Sequence, residues 1–386
     1  MNLPLSSLPR FDVAVIGAGI IGCASAWRLA QRGLRVVLIE RESAPATGST
    51  GRSAAGIRLQ FSDATNILLS AHSLQEYRDM PEAGYRPIGY LFYVPHADWP
   101  AHRAAVDLQR SLGAPVQILD PGQAVHVVPA STRGIAGATW CAQDGIVDPH
   151  GICLSYAARA RDAGARISLR AGVEAIDAHP QGWTITAGGE QLQAATIVNA
   201  AGAWAGRIGA MAGLDVPVDA ARRVVFASAP LPASLARAHP YPLTVDVGSG
   251  FYFRSEGDRL IFGQSNPDDR GFSEGIDWAW LDTVVASALD RFPWFEDVSL
   301  DRKACWWGYY EITPDHHAIV GIDPRHHRWI NACGFSGHGV QQAAAVGRIV
   351  AQLAVGEAPM IDIDSLSIER LRLPADAVPR PERLIV

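Results

Sequence analysis

Residues 11–40 read FDVAVIGAGIIGCASAWRLAQRGLRVVLIE, and the fold is decided there. The apolar run Val13 to Ile16 meets Gly17-Ala18-Gly19-Ile20-Ile21-Gly22, continues in helix-forming residues to Ala30, turns at Gly33 and re-enters an apolar run from Val36 to Ile39. That order predicts a strand, a glycine turn, a helix and a parallel strand. The glycines have separate tasks in such a unit: Gly17 allows the tight turn, Gly19 lets a pyrophosphate approach the backbone, and Gly22 lets the helix lie close to the strand. The helix, opened by Ile20 and Ile21, presents N–H groups and a positive dipole end to the phosphates. Glu40 ends the second strand, where its carboxylate can accept hydrogen bonds from both ribose hydroxyls. The same charge repels a 2′-phosphate, which argues against NADP and leaves FAD and NAD open.

The chain has 386 residues, more than one ordinary core accommodates, so two domains are expected. An apolar fraction of 48%, a charged fraction of 19% and a net charge of −6 describe a soluble globular protein with no electrostatic case for nucleic acid. The uncharged segment Val13 to Trp27 is too short for a membrane span and is broken by glycine, so no transmembrane segment is expected. Met1 to Arg10 lacks the basic start and apolar run of a signal peptide, which together with the early fingerprint suits a cytoplasmic enzyme. Five cysteines, Cys23, Cys141, Cys153, Cys305 and Cys333, show no CxxC spacing, so neither a disulfide framework nor a metal site is expected. Cys23, inside the first helix, reads as a small buried residue.

Beyond Glu40, residues 41–56 are small and hydroxylated. Ser49, Thr50 and Ser53 suit a phosphate or a cofactor chain, and Arg41 and Arg52 add charge. Arg58 and Gln60 follow, then a helical pattern over residues 66–77. From residue 84 to 140 short strands such as 89–94 alternate with turns and a helix at 99–112, without βαβ rhythm, which reads as an excursion into a second domain. A turn at 144–150 leads into a helix at 151–163, strands at 166–169 and 172–178, and a hairpin at 182–187. The apolar strand ending in Asn199-Ala200-Ala201-Gly202-Ala203-Trp204 reads as a return to the parallel sheet, with backbone brought close to the cofactor.

A second excursion, residues 216–310, carries strands at 223–228, 250–254 and 259–264 and a helix at 277–292. Aromatic residues concentrate here and read mainly as core, but Tyr252 and Tyr310 are suited to wall a small polar substrate and offer hydroxyls. The third return is a strand at 329–332 running into Cys333-Gly334-Phe335-Ser336-Gly337-His338-Gly339-Val340-Gln341 and a helix at 342–353. Three glycines before a helix make another backbone cradle, and His338, bracketed by two of them, is poorly placed for a core role.

Taken together, the fingerprint from Gly17 to Glu40, the loop from Gly48 to Phe61, Asn199 to Trp204, Tyr309-Tyr310-Glu311-Ile312-Thr313-Pro314-Asp315 and Gly334 to Gly339 resemble the D-amino-acid-oxidase superfamily of FAD enzymes. Within it the chain is most similar to the branch of sarcosine oxidases, glycine oxidase and bacterial amino-acid dehydrogenase subunits. The resemblance implies FAD rather than NAD, a β-sheet substrate domain over the isoalloxazine, and oxidation of a C–N bond to an imine. It also marks departures. Gly308 stands where covalent sarcosine oxidases carry a flavin-linked cysteine, and residues 48–56 hold no counterpart of the flavin-carrying histidine of dimethylglycine dehydrogenases, so FAD is expected to be non-covalent. Gln341 takes the place of a carboxylate-binding lysine, Tyr252 falls near the place of an oxygen-linked lysine, and Tyr310 falls at the place of glycine oxidase's carboxylate-binding arginine. Arg58 is the remaining candidate for the carboxylate, with Arg223 or Arg254 behind it.

The resulting expectation is an α/β protein with a discontinuous Rossmann-like FAD-binding domain (1–83, 145–215 and 311–386) and a β-sheet-rich α+β substrate domain (84–144 and 216–310). The residues expected to face FAD are Gly17, Gly19, Ile20, Ile21, Gly22, Glu40, Arg41, Ser49, Thr50, Arg52, Ser53, Val173, Ala200, Ala201, Gly202, Trp204, Gly334, Gly337, His338, Gly339, Val340 and Gln341. Tyr252, Tyr310, Arg58 and His338 are expected on the substrate side. The substrate is expected to be an amino acid or secondary amine, and the electron acceptor oxygen, a quinone or a protein partner. Loss of the oxygen-linked lysine favours a dehydrogenase, and partner subunits are compatible with the branch. A non-catalytic flavin-fold assembly factor and an NAD-dependent dehydrogenase stand as the alternatives.

Overall fold

In the computed structural model, which describes residues 8–236 and 239–372, the opening unit takes the form its sequence predicts. Arg10–Ile16 is the first strand, Ile20–Gln31 the first helix and Val36–Ile39 the second strand. The two strands are parallel, Val13 lying opposite Val36 and Ile16 opposite Ile39. Val36–Ile39 is buried at every residue, the pattern of a strand covered on both faces.

Among the described residues these strands belong to an eight-stranded sheet. Its main path runs Ile319–Asp323, His326–Cys333, Glu190–Asn199, Arg10–Ile16, Val36–Ile39, Arg166–Ser168. Val173–His179 and Gly182–Ala187 join it as an antiparallel meander on Glu190–Asn199. The expected hairpin at 182–187 is thus one strand of a hairpin that turns at Gly188 and Gly189, both with positive φ (58° and 76°), as a two-residue turn requires. The first helix is sandwiched between Pro149–Asp162 and the helix Gly339–Ala354. A Cβ at Gly347 would lie 2.8 Å from the Ala24 backbone, so this close crossing depends on glycine.

A second eight-stranded sheet holds Trp306–Ile312, Asp219–Ala227, Arg259–Gly263, Phe251–Glu256, Leu243–Asp246, Tyr90–Pro95, Ile135–Cys141 and Gln117–Leu119, in that order. Strand alternation divides its aromatic residues between two faces. Phe251 and Phe253 join Phe226, Phe262, Phe292 and Phe295 in a core beneath the helix Leu281–Arg291. Tyr252, between them in sequence, points the other way and packs with Tyr90, Phe92, Leu243 and Val245. The helix expected from residue 277 starts at Leu281, because the Asp277 side chain accepts a hydrogen bond from the Trp280 amide and holds the preceding residues in a turn.

Candidate active site

The glycine loop leaves a space that side chains would fill. Gly17 has φ of 100°, and a Cβ there would stand 2.5 Å from the Ala200 carbonyl oxygen; one at Gly22 would stand 1.8 Å from the Gly17 carbonyl oxygen. Gly19, at the N-cap of the first helix, has no side chain to satisfy the helix amides, and the Ile20 amide is met by the Thr50 hydroxyl at 3.0 Å. The Glu40 carboxylate accepts from the amides of Ala18 at 2.7 Å and Glu42 at 2.9 Å, so it braces the loop from the neighbouring strand. A backbone cradle with a helix N-terminus at its floor fits a pyrophosphate.

From this cradle a cavity of about 410 Å³ runs between the two sheets. Every residue expected to face FAD lines it except Gly22 and Gly334. Gly22 acts one layer back, through the close approach of helix and loop. Gly334 is a turn residue with φ of 75°, its amide donating to the Glu311 carboxylate at 2.8 Å, and a Cβ there would meet Thr313 Cγ2 at 2.5 Å. The arginines of the hydroxylated loop lie over indoles: the Arg41 guanidinium carbon is 3.7 Å from the Trp204 ring centre and that of Arg52 is 4.7 Å from Trp307. Ser49 ties the loop to the second sheet through the Tyr309 carbonyl at 2.6 Å.

At the far end the cavity becomes a chamber walled by Tyr90, Val225, Leu243, Tyr252 and Tyr310, with Arg58, Arg223 and His338. All four residues expected on the substrate side are brought together there. Arg58 is 2% exposed, and its guanidinium donates to the Gln60 carbonyl and, from Nη2, to His338 Nε2 at 3.2 Å. Since a guanidinium only donates, His338 accepts at Nε2 and is neutral. Burial, reinforced by the Arg58 charge, holds His338 well below the ordinary imidazole range. Burial likewise raises Tyr252, Tyr310 and Tyr90, which keeps their hydroxyls protonated. Gly337, with φ of 95°, makes room for the Tyr310 ring, which a Cβ would meet at 2.5 Å. Gln341 faces Arg58, its side-chain oxygen accepting from the Arg58 amide at 2.9 Å.

Arg254, a second fallback for a carboxylate, does not line the cavity: it is bound to the Ala54 and Ser255 carbonyls and to Glu256. Sequence reasoning gave no role to Tyr90 or Glu311. Tyr90 sits on a strand whose alternation with Phe92 and Val94 is readable, but its facing depends on the neighbouring strand Leu243–Asp246, which carries no comparable signal. Glu311 lay in a quoted motif. Burial pushes its carboxyl up to about 7, against the opposing pull of the Gly334 and Phe335 amides.

A family model described as DAO, FAD dependent oxidoreductase, matches residues 12–353. FAD-dependent oxidoreductase domain-containing protein 1 of Xenopus laevis is 30% identical, covering 95% of this chain and 84% of that protein. The mitochondrial sarcosine dehydrogenase of Mus musculus is 28% identical over 95% of this chain and 42% of its own length, and its compartment leaves the cytoplasmic expectation without support. Among solved structures, L-proline dehydrogenase from P. horikoshii superposes with a TM-score of 0.85 at 25% identity, covering 95% of this chain and 98% of that one. No helix among the described residues is long and apolar enough to cross a membrane. A Rossmann-like FAD-binding domain joined to a sheet-rich domain, a cradle that accepts a pyrophosphate and these matches agree: the chain belongs to the DAO family of FAD-dependent oxidoreductases, and FAD is its cofactor.

Proposed function

We propose that the protein oxidises the C–N bond of an amino acid or secondary amine to an imine, with FAD held non-covalently between the domains 1–83, 145–215, 311–386 and 84–144, 216–310. The observation that carries this reading is the chamber, where two protonated tyrosines, a neutral histidine and two arginines converge beside the cofactor cradle. The names of the sarcosine and proline dehydrogenases point to secondary amines carrying a carboxylate. When bound, FAD supplies the two-electron acceptor, taking hydride at N5 from the substrate carbon next to nitrogen.

The chain's own residues prepare the substrate for that step. An ammonium cannot release hydride, so its proton must leave first. Arg58 and Arg223 disfavour a second cation in a partly desolvated chamber and lower the substrate's ammonium pKa. His338 is engaged at Nε2 by Arg58, so it orients rather than removes a proton at that atom. Tyr252 and Tyr310 wall the substrate and present donors, and the enclosed site excludes water from the reacting carbon. Gly17, Gly19, the loop from Ser49 to Ser53, and the backbone from Gly337 to Gln341 would hold the cofactor. With tyrosine near the place of the oxygen-linked lysine, electrons are read as passing to a quinone or a protein acceptor.

The test is the visible spectrum of the purified protein, kept anaerobic, with D- and L-amino acids, N-methyl amino acids, proline analogues and simple amines. Bleaching of the flavin band by a member of the panel is expected, with slow reoxidation in air. A yellow protein that none of them bleaches would sink the catalytic reading and favour a flavin-bearing assembly factor.

A further inference from the structure

Five arginines line the cavity, and four of them have clear occupations. Arg41, Arg52 and Arg207 lie over Trp204, Trp307 and Phe272. Arg58 donates to the Gln60 carbonyl and His338. Arg223 differs. Its hydrogen bonds run through Nη1, to the carbonyls of Arg222 at 2.8 Å and Asn266 at 3.3 Å. Its Nε is buried and has no hydrogen-bond partner among the described residues. Nor does it form an ion pair with a described acid: Asp269 is held by Arg222 at 2.6 Å. Its guanidinium carbon stands 5.4 Å from the centre of the Tyr310 ring.

This placement is built into the strand Asp219–Ala227. Arg223 and Val225 line the cavity, while Val224 between them joins the aromatic core on the opposite face. A half-buried guanidinium whose Nε is buried and unpartnered, and which has no counter-charge, gains from an anion that completes it. The edge formed by Nε and Nη2 is the one a carboxylate engages side-on with two parallel hydrogen bonds. We infer that Arg223 binds the substrate's carboxylate beside Tyr310, so that the chamber selects α-amino or N-alkyl amino acids over simple amines. This inference rests on the amine-oxidising reading of the chamber. It transfers the carboxylate from Arg58, whose guanidinium is turned to Gln60 and His338.

The experiment uses the FAD-loaded protein and needs no turnover. Calorimetric titration compares 2-furoate with its neutral counterpart 2-furamide, in the wild type and in Arg223→Gln and Arg223→Lys. The wild type is expected to prefer furoate by at least roughly tenfold, and Arg223→Gln to lose roughly 10- to 1000-fold in furoate affinity while furamide binding is unchanged. Arg223→Lys, which keeps the charge but not the side-on pair, is expected to fall between them and decides the matter if the glutamine variant does not hold FAD. In steady state the same variants should raise KM for a carboxylated substrate more than they lower kcat. Equal binding of furoate and furamide by the wild type, or wild-type furoate affinity in either variant, overturns the assignment. Failure of every amine to bleach the wild type strikes the oxidation reading instead, and the furoate result then still reports on Arg223.

Discussion

Arg58 Nη2 and His338 Nε2 meet at 3.2 Å across 280 positions of sequence, joining the hydroxylated loop to the last glycine turn. The contact fixes both the protonation and the orientation of the histidine. Removing the guanidinium therefore has two separable effects. Arg58→Met leaves the Gln60 carbonyl and the His338 ring without a donor, at a cost of about 1–3 kcal/mol each, read as a lower denaturant midpoint. It also lifts one of the causes that depress His338, so the imidazole titrates at higher pH than in the wild type.

The sign for stability follows from the same histidine. A buried imidazole with a depressed pKa leaves the unfolded chain binding the extra proton below about 6.5. The wild type's share of stability from His338 is thus full above that value and lost as the pH falls towards the folded pKa. In Arg58→Met the folded value lies closer to the unfolded one, so the total loss on acidification should be smaller and should level off at a higher pH. Parallel curves of Tm against pH for the two proteins would contradict this.

Glu311 behaves in the opposite sense. Its carboxyl is pushed up to about 7 chiefly by burial, against an ordinary value near 4.3. The native state holds the proton between those values, so the stability it contributes is complete below about 4.3 and is lost as the pH rises through 7. Glu311→Gln should flatten the decline in Tm of the FAD-free protein between pH 5 and pH 8. Asp144, raised to about 6 by burial, remains in both proteins and leaves a shared residual slope.

The glycine loop offers a paired test. Gly22→Ala places a Cβ 1.8 Å from the Gly17 carbonyl oxygen and forces helix and loop apart, with an expected cost of roughly 1–3 kcal/mol and loss of bound FAD. Gly248→Ala lies outside the cavity, brings its new carbon no closer than 3.5 Å to Pro95, and should keep its flavin. The ratio of flavin to protein absorbance after purification separates the two, and equal ratios would remove Gly22 from its role.

The Thr-Pro-Asp motif has a structural task. Asp315 accepts from Arg370 Nε at 2.7 Å and Nη2 at 3.0 Å, and both side chains are buried. Arg370→Ala strands the carboxylate and should cost about 3–5 kcal/mol in urea unfolding, whereas a double substitution of both partners by leucine should cost less.

Much of this arrangement was legible in the sequence, because glycine turns and buried strands are local patterns. The first βαβ unit, the return at Asn199 to Trp204 and the approach to the last helix are each specified within a few residues. What was not legible is set between distant strands. Alternation reveals that Tyr252 opposes Phe251 and Phe253, but the choice of face follows from the helix Leu281–Arg291 covering the phenylalanines. The environment of Arg223 likewise depends on Tyr310 and Asn266, which come from other parts of the chain. The three glycines after Cys333 read as one cradle, yet Gly337 and Gly339 border the cavity while Gly334 turns the chain over Glu311.

The crossing of Gly347 on Ala24 means that the cofactor's seat is made from the two extremes of the folded chain. On the ribosome the first helix emerges long before its covering partner, and at roughly 5–20 residues per second it waits about 15–60 s for that partner. Through that interval its buried face, including Ala24, Ala26 and Trp27, has nothing from the last helix to cover it. The cavity, bordered in part by Gly337 to Gln341, is therefore complete only once synthesis has passed Gln341.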